Sequence, residues 1–125
     1  MDVRETPDLI EARRRSGKPY LEFLRVSSMS CGLYELPKGG PDRQRPHSED
    51  EVYYVIRGHA HIRVGSEERA VRPGTIVFVP ALMDHRFHDI EEDLALLVFF
   101  APSEGTRAGA ASVVKYGKAV PCVGV

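Results

Sequence analysis

The sequence predicts an all-β sandwich or barrel preceded by one short helix. From Tyr20 to Ala101, short runs rich in Val, Ile, Leu, Tyr and Phe alternate with turns bearing Gly, Pro and Asp. No helical apolar period interrupts those runs, which excludes a parallel α/β sheet. The chain has 125 residues, 42% apolar and 28% charged, enough for one domain with one core.

The helix is expected first. Thr6-Pro7-Asp8 reads as a Thr cap, a proline at the first helical position and an acid at the positive end of the dipole. The helix should run to about Ser16 and stop at Gly17. Arg13-Arg14-Arg15 then falls in its last turn, where cations suit the dipole, and reads as a solvated helix end. Strands follow at Tyr20 to Val26, Gly32 to Leu36 and Val52 to Ile56. Arg57-Gly58 reads as a turn and Ala60 to Val64 as the return, so Glu51 to Val64 is expected to form a β-hairpin. After a turn at Gly65 to Glu68 come Ala70-Val71, Thr75 to Val79, His85 to His88 and Leu94 to Ala101. Leu94 to Phe100 is apolar in both phases, as in a strand covered on both faces. The organisation read from this is a helical segment 1–18, a barrel 19–102 and a tail 103–125, packed on the barrel or disordered. No internal repeat is present.

Composition excludes several functions. Seventeen basic and 18 acidic side chains leave a net charge of −1, without the one-signed field a nucleic-acid binder needs. Cys31 and Cys122 form no CxxC and no disulfide framework, and a reducing cytoplasm is the expected compartment. The N-terminus lacks an apolar signal region, and the longest apolar run, 94–101, is far short of a membrane span. No nucleophile elbow, P-loop, dinucleotide fingerprint or HExxH is present.

Ionisable residues gather in two places. One is Pro46-His47-Ser48-Glu49-Asp50-Glu51, running into Val52 to Gly58. The other is Gly74 to Pro80 followed by Met83-Asp84-His85-Arg86-Phe87-His88-Asp89. His47, Glu51 and Gly58 fall at the intervals of the pattern G-x5-H-x-H-x3,4-E-x6-G. Gly74, Pro80 and His85 fall at those of G-x5-P-x-G-x2-H-x3-N. On these residues the segment 20–101 resembles the cupin superfamily. The resemblance implies a jelly-roll barrel (a double-stranded β-helix), a metal-dependent oxygenase, isomerase or decarboxylase activity, and a homodimer formed by sheet addition. The chain departs from the pattern in three places: Arg45 stands for the first histidine, Leu82 for the glycine and Asp89 for the asparagine.

Strand alternation puts Glu51, Tyr53 and Val55 on one face, and His85, Phe87 and Asp89 on one face of another strand. If both faces point inward, His47, Glu51 and His85 converge at the barrel mouth. Two imidazoles and one carboxylate suit a divalent first-row metal: Fe(II) in the facial triad, and also Mn, Co, Ni or Zn. The alternative is a polar cavity without metal. Arg45 shares the phase of His47, so it either projects inward to hold a substrate anion or Glu51, or lies exposed in a loop. A bulge would instead turn Arg45 out and bring Gln44 in as a weak fourth ligand. Tyr53 is either core or a pocket residue whose hydroxyl serves as acid or base, and Tyr53 and Arg45 are the catalytic candidates. His59 and His61 take the opposite phase to Ala60, Ile62 and Val64, so they are read as exterior, as is His88. Asp84 reads as a turn residue or as the group that orients His85, and Glu49 and Asp50 as solvated turn carboxylates.

Three functions fit these residues. One is a mononuclear Fe(II) dioxygenase on a small anionic or phenolic compound. The second is a metal-dependent isomerase or lyase of a sugar or keto acid. The third is a non-catalytic module that binds a small molecule. None involves nucleic acid or a membrane.

Overall fold

In the computed structural model, which describes residues 1–106, helix α1 (Thr6–Ser16) opens the chain. Thr6 is not its cap. Glu5 is the N-cap, in extended backbone, and its carbonyl accepts from the amides of both Asp8 and Leu9, which starts the helix one residue early. The helix ends as expected at Gly17, whose φ of 71° is left-handed. The arginine run is only partly solvated. Arg13 donates from Nε to Glu35 at 2.7 Å, and Arg57 reaches the other oxygen of Glu35 at 2.8 Å. This largely buried carboxylate therefore pins the helix to the sheet.

Among the described residues eight strands follow: β1 (Tyr20–Val26), β2 (Met29–Leu36), β3 (Asp50–Arg57), β4 (Ala60–Val64), β5 (Glu67–Val71), β6 (Ile76–Val79), β7 (His85–His88) and β8 (Leu94–Ala101). They form two antiparallel sheets, ordered β1-β2-β8-β3-β6 and β5-β4-β7. β2 begins at Met29 rather than Gly32, because Val26 pairs with Met29 across a two-residue turn. β8 lies between β2 and β3 and is buried on both faces, as its two-sided apolar character requires.

The expected hairpin at 51–64 is not formed. β3 pairs with β8 on one edge and β6 on the other, so it has no edge left for β4. The chain instead crosses between sheets at Gly58, and β4 pairs with β5 and β7. Gly58 has φ 101°, and a Cβ there would lie 2.5 Å from the Asp93 carbonyl oxygen. A glycine is needed at the crossing for two reasons: its positive φ and the close approach of the β8 entry.

Tyr53, Val55, Ile62, Phe87, Leu94, Leu96, Val98 and Phe100 fill the space between the sheets. Asp89 leaves the inward phase expected for it. It sits past the end of β7 with φ 48° and its side chain in solvent. Leu82 has φ 63°, and these are the two non-glycine residues with positive φ among the described residues. They stand where the cupin pattern has Gly and Asn, the residue types that adopt this backbone most easily.

After β8, Ser103 is buried, and Glu104 and Gly105 donate backbone hydrogen bonds to Ser30 and Glu49. The rest of the expected tail, 107–125, lies outside the described residues. Among the described residues no helix is long and apolar enough to cross a membrane.

Candidate metal centre

Three elements carry the centre. Glu51 is the second residue of β3, His85 the first of β7, and His47 lies in the irregular segment that leads into β3. Their ligand atoms all lie within 4.8 Å of one another. They are not at an open mouth: His47, Glu51 and His85 are 2%, 1% and 3% exposed. The ring of Phe100 packs edge-on against His47 at 4.9 Å, and the amide of Leu82 donates to the His47 carbonyl at 2.6 Å.

Arg45 and Gln44 sort themselves out by alternation. Asp42, Gln44 and His47 are buried while Arg43 and Arg45 face solvent. One extra residue between Gln44 and His47 breaks the two-residue period, so the phase argument that pointed Arg45 inward fails. Gln44 takes the inner position. Its Oε1 lies 3.0 Å from His85 Nε2 and accepts from the Tyr53 hydroxyl at 2.8 Å. Tyr53 belongs to core and site at once: it is fully buried, with its hydroxyl 3.1 Å from His85 Nε2. Burial, and next the Glu51 charge, push that hydroxyl well above the ordinary tyrosine range, so it keeps its proton.

The atoms around His85 are short of positive charge. Its Nδ1 lies 2.9 Å from the Met83 carbonyl, which only accepts, so Nδ1 carries a hydrogen. In a neutral ring Nε2 is then a lone pair, yet it faces Gln44 Oε1 and, at 3.1 Å, Glu51 Oε1. Neither oxygen of Glu51 accepts a well-formed hydrogen bond among the described residues. A second proton on His85 or a bound cation answers this need. Burial is the largest single influence and opposes that proton, but the hydrogen bond and charge of Glu51, the Met83 carbonyl and the Asp42 charge together outweigh it, so His85 titrates above its ordinary value. His47 behaves oppositely, because burial dominates and lowers it. A buried carboxylate, two imidazoles and an inward amide oxygen suit a divalent first-row metal in chemistry and placement.

Several neighbours were not legible beforehand. Glu49 is no solvated turn carboxylate: it is buried and accepts from the Ser48 hydroxyl and from the Gly105 amide. Glu104 brings Oε2 to 3.4 Å from His47 Nδ1. Burial, followed by the charges of Glu51, Glu22 and Glu49, pushes its carboxyl up to about 7. Asp42 accepts from Gln44, Tyr34 and Phe87. Gly105 lies 56 residues from Glu49, and Glu104 is similarly remote from His47, so no local spacing marks these contacts. Asp84 is exposed and does not orient His85; the Met83 carbonyl does. Asp50 is exposed, as expected, and its carboxylate accepts from the Ala81 amide. His59, His61 and His88 lie outside the centre, with His61 and His88 stacked across β4 and β7 on the outer face.

A family model described as the cupin domain matches residues 32–100. An uncharacterized protein of Streptomyces coelicolor is 50% identical over 98 residues, which span 78% of this chain and 93% of that one. The structure of TT1209 from Thermus thermophilus is 30% identical with a TM-score of 0.67, over 82% of this chain and 99% of that chain. The structure of the DMSP lyase DddQ from Ruegeria pomeroyi is 23% identical with a TM-score of 0.57 over 61% of this chain, and this likeness concerns the fold alone. The chain spans only 39% of that lyase. The matched domain runs from the second strand to the last, through both clusters that supply the centre, and the chain belongs to the cupin family.

Proposed function

We propose that this cupin holds one divalent first-row transition metal through His47, Glu51 and His85 and uses it on a small organic compound. The observation that carries the reading is Glu51. Its buried carboxylate has no well-aligned neutral donor, and with His85 Nε2 at 3.1 Å its charge calls for either a proton on that ring or a cation. Two imidazoles and one carboxylate are the donor set of mononuclear Fe(II) oxygenases, and Mn, Ni or Zn suit the same atoms. When bound, the ion supplies Lewis acidity and open coordination positions for substrate and oxygen. The chain supplies the rest. Gln44 presents an amide oxygen, the Tyr53 hydroxyl lies 3.1 Å from His85 Nε2 and donates its proton to Gln44, and Phe100 and Tyr53 exclude water. Arg45 faces solvent, away from the buried donors. The favoured reaction is an oxygenation of a small anionic or phenolic compound.

Metal analysis of protein purified without chelators should find one ion per chain. Anaerobic Fe(II) loading followed by oxygen, with catechols and keto acids present, should give substrate-dependent oxygen consumption that His85→Ala abolishes. Turnover without oxygen consumption would move the reading to an isomerase or lyase. A second reading is a binding module without turnover. Ligand binding with no turnover would select it, and failure to take up Fe, Mn, Ni or Zn would overturn the metal.

The chain also reads as half of a homodimer. β6 is the edge of the larger sheet, and Ile76 and Phe78 on it are exposed, with Tyr54 and Met83 beside them partly so. An apolar patch on an open sheet edge fits a second copy.

A further inference from the structure

The Gln44 amide has two ends, and its surroundings decide which one faces the centre. Its Nε2 donates to Asp42 Oδ2 at 2.6 Å. A carboxylate only accepts, so the NH2 must face Asp42 and the oxygen must face Tyr53 and His85. The Tyr53 hydroxyl agrees, because it donates to that oxygen at 2.8 Å. Asp42 is itself held on every side. Oδ1 accepts from the Tyr34 hydroxyl at 2.7 Å and the Gln44 backbone amide at 3.3 Å, and Oδ2 also accepts from the Phe87 amide at 2.9 Å. Tyr34 lies on β2, and Phe87 lies on β7, two residues after His85. Asp42, Gln44, Tyr34, Tyr53 and Phe87 are all buried, so water does not compete for these bonds. Asp42 and Gln44 fall at variable positions of the family pattern.

We infer that Asp42 is the positioning residue of this centre: it locks the Gln44 amide with its oxygen inward, making Gln44 a fourth, oxygen donor in the place of the lost histidine. The inference rests on the proposed metal reading and adds who sets the fourth ligand. Asp42 sets the fourth ligand through Gln44, and its bond to the Phe87 amide also ties it to β7. Replacing its carboxylate by an amide offers Gln44 either an acceptor or a donor, and the amide is then free to turn.

Two measurements test this. Metal-free wild type, Asp42→Asn, Gln44→Leu and the double variant are titrated with Co(II), followed by the metal's visible absorption and by calorimetry. Asp42→Asn and Gln44→Leu should each weaken Co(II) binding about 10- to 100-fold. The double variant should bind no worse than Gln44→Leu alone. Unchanged affinity in Asp42→Asn, or a further loss when it is added to Gln44→Leu, overturns the inference. The second measurement needs no metal. The Gln44 side-chain amide protons should exchange slowly with solvent in wild type and at least about ten-fold faster in Asp42→Asn. Equal exchange in a folded Asp42→Asn variant overturns the positioning role even if wild type takes up no ion. Absence of Co(II) uptake with the exchange difference intact counts against the metal reading alone.

Discussion

At the scale of single residues, Glu51 decides more than any other side chain. Its carboxylate is buried beside two imidazoles, and no group among the described residues donates a well-formed hydrogen bond to it. Glu51→Gln should abolish uptake of one ion per chain while the metal-free protein melts within a few degrees of wild type, because a neutral amide needs no cation. Strong destabilisation of that variant would mean the carboxylate is structural. The histidines set the pH dependence. In the proposed centre an ion would displace the proton on His85, whose folded value lies above the ordinary one, so affinity should fall about ten-fold per pH unit below it. Co(II) titrations at about pH 8, 7 and 6 read that slope, and a flat profile would remove His85 from the ligands. In the metal-free protein, His85 and Glu104 both bind protons more tightly when folded. Their contributions are present at low pH and are lost as pH rises, for Glu104 between its ordinary 4.5 and about 7. His47 is lowered, so its contribution has the opposite sign and fades as pH falls. Metal-free stability should therefore decline across neutrality, and added metal should reverse the decline. At Asp89 the backbone is left-handed and the side chain exposed, so Asp89→Gly should raise the unfolding free energy by about 0.5 kcal/mol in denaturant titrations.

At the scale of elements, the crossing between β3 and β4 matters most. It separates the sheet that carries Glu51 from the sheet that carries His85, and so sets the two donors face to face. Gly58 makes it, with a backbone no β-branched residue adopts and the Asp93 carbonyl where a Cβ would go. Gly58→Val should cost at least about 2 kcal/mol, seen as a lower denaturant midpoint, and should weaken metal uptake with it. An unchanged midpoint would remove the crossing from the argument. The segment 41–49 is the second such element. It has no regular structure, yet it supplies Asp42, Gln44 and His47, each held by side chains or amides of other elements.

At the scale of the whole molecule, the two sheets and the 103–106 segment close over the centre, while the edge of the larger sheet stays open. Ile76 and Phe78 stand on that edge, 68% and 58% exposed, whereas the three donors are buried. Ile76→Lys with Phe78→Lys should convert a dimer to a monomer in analytical ultracentrifugation at unchanged metal content. A wild-type chain that sediments as a monomer would reject the dimer.

The all-β class, the helix and the limits of most strands were legible because they depend on local chemistry. Proline and glycine placement, apolar runs and alternation act over a few residues. His47, Glu51 and His85 were legible as a group because the intervals between them survive from chain to fold. What the sequence left open were the relations between distant segments. Whether β3 and β4 form a hairpin depends on whether both edges of β3 are already taken, and its partners β6 and β8 lie far along the chain. Gln44 rather than Arg45 faces inward because Asp42 finds Phe87 and Tyr34 there, and Glu49 is buried because Gly105 reaches it after the last strand. Alternation fixes the direction of a side chain only inside a strand. In the irregular segment before β3, tertiary hydrogen bonds to a buried carboxylate determined it instead.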